Sequence, residues 1–84
     1  MLRAILHRKA ASEMGSLPKA DRRGIPEAFR QMESDPFLGD VRPIKGMKAV
    51  FRRRIGNYRV AFTVNFEARE VVILKVGRRG KFYR

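Results

Sequence analysis

Arginine and lysine crowd the second half of this chain, and a tyrosine stands among them. Residues 42–84 hold 13 Lys+Arg against 2 Asp+Glu, whereas residues 1–41 hold 7 against 6, so nearly all of the net charge of +12 lies in the second segment. A field of that size draws polyanions through counterion release. A guanidinium stays charged at any working pH, and its planar fork fits two phosphate oxygens. Such groups suit cleavage of RNA by its own 2′-hydroxyl, where the protein supplies position and positive charge. Arginine is a poor proton acceptor, so another group must serve as base. Tyr83, beside Arg78, Arg79, Lys81 and Arg84, is the candidate, because neighbouring positive charge lowers a phenol's pKa. Packing or base stacking is the other role open to it.

Other chemistries lack their residues. There is no cysteine, which excludes disulfides, thiolate nucleophiles, zinc knuckles and iron–sulfur clusters. A metal-dependent nuclease needs clustered carboxylates or histidines, yet the basic segment has only Glu67 and Glu70, and His7 is the sole histidine. No metal and no cofactor are expected, and His7 reads as a structural or helix-capping residue. A solvated basic surface without a ligand is the alternative, but self-repulsion this concentrated calls for a polyanion to offset it.

The elements that must position these groups follow from spacing. A chain of 84 residues fits one domain spanning 1–84. Leu2 to Leu6 predicts a first strand. Ala10, Ala11, Met14 and Leu17 have helical spacing, with Gly15-Ser16 and Pro18 as a stop. Ile25, Ala28, Phe29 and Met32 fall at i, i+3, i+4 and i+7, predicting a second helix that starts near Pro26 or is kinked there. Two helices joined at Leu17-Pro18 form an antiparallel hairpin able to cover one face of a sheet. Residues 35–46, rich in Pro, Gly and Asp, read as a loop. Met47–Ile55, Asn57–Phe66 and Glu70–Arg79 read as strands joined by short turns, hence an antiparallel meander. The fold class is α+β, with the helices on one face of the sheet. The apolar run Ala4 to Leu6 is too short for a signal peptide and Lys75 interrupts Val71 to Val76, so the cytoplasm is the expected location, with no membrane.

Alternation along strands sorts the charges. Tyr58, Val60, Phe62, Val64 and Phe66 share one phase, opposite Arg59, Ala61, Thr63 and Asn65. Val72, Leu74 and Val76 form the apolar phase of the last strand, leaving Lys75 and Arg79 on the other with Val71, Ile73 and Gly77. Phe51 and Ile55 point inward, and Lys48, Arg52 and Arg54 outward. Lys48, Arg52, Arg54, Arg59, Lys75 and Arg79 then share a face on three neighbouring strands. Like charges on adjacent strands destabilise a sheet, which favours a binding site over decoration. Arg53 points coreward by the same rule; it either snorkels past the sheet edge or sits where a bulge shifts the register.

These residues resemble the RelE/ParE toxins of type II toxin–antitoxin pairs. The likeness runs through Ile5-Leu6-His7 with Lys9-Ala10, Leu17-Pro18-Lys19, Asp35-Pro36, Asp40-Val41-Arg42-Pro43-Ile44-Lys45-Gly46, Phe51 to Val60, Val76-Gly77-Arg78-Arg79 and Phe82-Tyr83-Arg84. It implies a RelE-like fold: one strand, a helical hairpin and a three-stranded meander. It also implies a ribosome-dependent mRNA endonuclease in which Arg52, Arg54, Arg59, Arg79 and Tyr83 carry the cleavage. Lys45, Lys48, Lys75, Arg78 and Lys81 are the candidate RNA contacts. Lysines are common in that subgroup where Arg52 and Arg54 stand, and histidine where Arg78 stands, so the base is not assigned by the resemblance. Its implied partners are the ribosome, mRNA and a cognate antitoxin, in assemblies up to a heterotetramer. The alternative within the family is a ParE-like toxin that inhibits DNA gyrase without nuclease activity. Outside it stands a plain nucleic-acid-binding module.

Overall fold

The computed structural model describes residues 1–78, in the order β1 (Arg3–Leu6), α1 (Arg8–Ser16), a 3-10 helix (Lys19–Arg22), α2 (Ile25–Ser34), β2 (Val41–Pro43), β3 (Phe51–Ile55), β4 (Tyr58–Asn65) and β5 (Glu70–Arg78). The strands form a five-stranded sheet in the order β1-β5-β4-β3-β2, with β1 parallel to β5 and the other pairs antiparallel. No helix among the described residues is long and apolar enough to cross a membrane.

Local signals explain the helices. His7 caps α1, its Nδ1 accepting from the Lys9 N–H at 3.4 Å, which satisfies one of the donors a helix start leaves free. The link to α2 is a 3-10 turn rather than a bare loop. Gly24, at φ +81°, adopts a backbone conformation that side chains resist, and α2 begins straight after it. Pro26 therefore sits in the first turn, where its missing N–H goes unused, and the helix is not kinked.

Ala10, Ile25, Ala28 and Met32 of the helices are buried, as are Val60, Phe62, Val71, Ile73 and Val76 of the sheet. Glu33 of α2 guards the β1 edge: its Oε2 accepts the Ala4 N–H at 2.8 Å, and its carbonyl accepts the Leu2 N–H at 2.9 Å. That occupies N–H groups on an edge otherwise open to a foreign strand.

Four expectations need correction. Residues 35–46 are not all loop, since Val41, Arg42 and Pro43 pair with Arg53, Arg52 and Phe51. A three-residue edge strand ending in proline leaves no local signature, because pairing with β3 creates it. The strand expected from Met47 starts at Phe51; Gly46 and Ala49 have φ +81° and +58°, so Lys48 lies in a turn rather than on a strand. Phe66 lies past the end of β4 in the turn, 67% exposed, instead of in the core. In β5 the core phase is Val71 and Ile73, then Val76, rather than Val72, Leu74 and Val76.

Arg53 resolves the remaining ambiguity. It points into the helix side without a bulge in β3, pairing with Val60. Its Nη1 donates to the Leu38 carbonyl at 3.0 Å and its Nη2 to Gln31 Oε1 at 2.8 Å, tying the loop after α2 to the sheet. Burial without a carboxylate partner lowers its pKa through desolvation. Gly39, at φ +90°, lies close under the same guanidinium. Arg53→Ala should lower stability by about 2 kcal/mol by removing the two hydrogen bonds that tie the loop after α2 to the sheet, measured as a reduced urea midpoint at unchanged slope.

Candidate nucleic-acid interface

Residues directly opposite in a ladder share a face. In β3 and β4 the pairs Arg52–Ala61 and Arg54–Arg59 alternate with Phe51–Phe62, Arg53–Val60 and Ile55–Tyr58. The second set faces the helices, so the first lies on the far face. Arg42, opposite Arg52 on β2, joins it. Lys75, opposite Ala61, and Gly77, opposite Arg59, extend that face onto β5. The structure thus brings Arg42, Arg52, Arg54, Arg59 and Lys75 together on the side of the sheet away from the core.

Lys75 is there because of an irregularity in the ladder. Val64 pairs with Val71 and Phe62 with Ile73, but the neighbouring Ala61 pairs with Lys75, leaving Leu74 as an extra residue in β5. Such a bulge reverses the side-chain phase beyond it. Strict alternation from buried Ile73 would have driven Lys75 into the core. The bulge instead returns Val76, 2% exposed, to the apolar side.

The five side chains do not stand alike. Arg42 and Arg54 are exposed. Arg52 has a side chain 12% exposed, held 3.5 Å from the Asp40 carboxylate. Arg59 is 5% exposed, its Nη1 donating to the carbonyls of Tyr58 at 3.0 Å and Gly56 at 3.4 Å. This turns its guanidinium onto the β3–β4 turn, which eases its repulsion with Arg54 directly opposite. Lys45 and Lys48 lie exposed in the loop between β2 and β3. Arg79, Lys81 and Tyr83 lie outside the described residues.

Arg78 is separate from this face. It pairs with Tyr58 across the ladder, so its side chain leaves on the helix side. There its Nε donates to the Tyr58 hydroxyl at 3.4 Å and its Nη2 to Asp21 Oδ2 at 3.3 Å, while the phenol donates to the same oxygen at 2.8 Å. The hydroxyl foremost, with Asp21 adding to it, raises the Arg78 pKa above the usual guanidinium value. These groups line an open cleft of about 500 Å³ between α1, the 3-10 helix and the end of β5. Close by, Glu13 Oε1 accepts the Val76 N–H at 2.9 Å, a donor next to the bulge. Among the described residues no three His, Asp or Glu side chains cluster as metal ligands.

Sequence reasoning missed Arg42, because β2 was not visible to it. It also missed Asp21, Tyr58 and Glu13 as parts of this end of the sheet. Asp21 and Tyr58 are 37 positions apart and Glu13 and Val76 are 63 apart, so no local pattern links them.

Residues 4–83 match the family described as "ParE toxin of type II toxin-antitoxin system, parDE". RelE1 of Methanocaldococcus jannaschii is 27% identical over 82 residues, covering 94% of this chain and 91% of its own. A chain in the archaeal RelE–RelB complex of Pyrococcus horikoshii superimposes with a TM-score of 0.78 at 32% identity, covering 95% of this chain and 97% of its own. The toxin–antitoxin complex RelBE2 of Mycobacterium tuberculosis gives a TM-score of 0.81 at 24% identity, covering 93% and 98%. The α+β fold described above is thus RelE-like.

Glu13→Ala should cost about 1–2 kcal/mol by leaving the Val76 N–H without its charged acceptor. The amide of Val76 should also lose hydrogen-exchange protection relative to Phe62; unchanged protection would show that the bulge holds itself.

Proposed function

Because this chain belongs to the ParE toxin family of type II toxin–antitoxin systems, we propose that it is a cytoplasmic toxin domain that cleaves mRNA on the ribosome and is neutralised by a cognate antitoxin. The observation that supports this reading is the register: Arg42, Arg52, Arg54, Arg59 and Lys75 share the sheet face that the helices leave uncovered. Guanidinium groups on neighbouring strands can hold a phosphodiester by paired hydrogen bonds. They stabilise the negative charge that builds on it as the 2′-hydroxyl attacks. The attacking oxygen must lose its proton and the departing 5′-oxygen must gain one. Arg52 and Arg54 supply charge, and Tyr83 is the residue assigned to proton transfer. The antitoxin partner is proposed from the solved relatives, which include RelE–RelB and RelBE2 complexes.

A second reading has its own support. The matched family is described as the ParE toxin, and Arg59 is turned toward the turn carbonyls and nearly buried. Under that reading the chain binds DNA gyrase and the basic face is an interface, not a catalytic surface.

Ribosome toeprinting beside a gyrase supercoiling assay separates the two. New cuts in the A site, lost in Arg52→Ala/Arg54→Ala and in Arg79→Ala, are expected from the nuclease. Tyr83→Phe should slow single-turnover cleavage about 100-fold or more while RNA binding persists. Loss of supercoiling with no cuts sinks the nuclease in favour of the second reading.

A further inference from the structure

We propose that Asp21 and Tyr58 are positioning residues for Arg78, holding its guanidinium at the rim of the cleft beside β5 as a phosphate contact separate from the basic face. The proposal rests on the RNA reading above. Arg78 is gripped by three contacts from two elements. Nε meets the phenol of Tyr58 on β4, Nη2 meets Asp21 in the 3-10 helix, and the guanidinium carbon lies 5.8 Å from the Tyr58 ring centroid. Tyr58 is 5% exposed, so the grip has a rigid base. The Arg78 side chain is 63% exposed, so the rest of it faces solvent. Glu13, the other carboxylate in the cleft, is engaged with the Val76 N–H.

A surface charge pair that merely neutralises needs none of this convergence. An arginine already held in place loses less rotamer freedom when it meets a phosphate. Asp21 therefore has two effects on that encounter, of opposite sign. Its charge, 3.3 Å from Nη2, weakens the attraction of Arg78 for phosphate, whereas its hydrogen bond aims the group. Replacing Asp21 by asparagine adds one unit of net positive charge and loosens the grip. Simple neutralisation predicts tighter RNA binding; positioning predicts weaker. Tyr58→Phe leaves the charge unchanged and removes the hydroxyl's two hydrogen bonds, to Arg78 and to Asp21, from a side chain of the same shape.

The test is equilibrium binding of a short single-stranded RNA carrying 2′-O-methyl groups, which cannot be cleaved through the 2′-hydroxyl. It uses the full chain and the variants Asp21→Asn, Tyr58→Phe and Arg78→Ala, with thermal unfolding of each. Asp21→Asn and Tyr58→Phe should each raise Kd about three- to tenfold. Neither should weaken binding further when combined with Arg78→Ala, because coupled residues are non-additive. Folded Asp21→Asn that binds as well as or better than the parent overturns the proposal, and so does an undiminished loss in the Arg78→Ala background. If Asp21→Asn does not fold, Tyr58→Phe alone and combined with Arg78→Ala gives the same decision. A parent chain that binds no free RNA overturns this contact and leaves cleavage on the ribosome to the toeprinting assay, and binding with silent variants likewise removes the contact alone.

Discussion

Side chains alternate along a strand, so one extra residue reverses every side chain beyond it. In this sheet the extra residue is Leu74, and the arrangement of charge at this end of the molecule depends on it. Before the bulge, Val71 and Ile73 fill the core; after it, Val76 does, while Lys75 passes to the face of Arg52, Arg54 and Arg59 and Arg78 to the helix side. An unbroken ladder would bury an ammonium in the apolar layer, which costs several kcal/mol unless it finds a partner. One irregularity thus serves packing and charge placement together.

The bulge is held from the opposite half of the chain. Glu13 of α1 takes the Val76 N–H, and Asp21 of the 3-10 helix takes the Tyr58 hydroxyl and Arg78. Both carboxylates come from the segment whose charges nearly balance, and both stand where the strongly basic segment ends its last described strand. The helical layer therefore does more than cover the core, since its acids fix the backbone and side-chain direction of β5.

Placing many arginines on one sheet has a cost, and several of them are turned to structural use. Arg53 spans from β3 to the Leu38 carbonyl and Gln31, Arg59 folds onto the turn carbonyls, and Arg52 lies against Asp40. Each contact spreads charge over acceptors and reduces repulsion between adjacent strands. Arg54, Arg42 and the loop residues Lys45 and Lys48 remain exposed to solvent.

Local patterns in the sequence were enough to specify the helices, the order of β1 and the meander, and the phase of β3 and β4, because caps, helical spacing and alternation act over a few residues. They also marked which segment carries the charge. The phase of β5 was not legible: Val71, Val72, Ile73 and Leu74 are equally apolar, so only packing against Phe62 and Val60 selects which face the core. Lys75 was assigned to its face from a phase that does not exist, and the bulge makes the outcome the same. Strand β2, the coreward reach of Arg53 and the meeting of Asp21, Tyr58 and Arg78 were decided by tertiary structure alone. Their partners lie 8 to 57 positions apart, and these contacts exist only once the sheet and the helical layer have closed on each other.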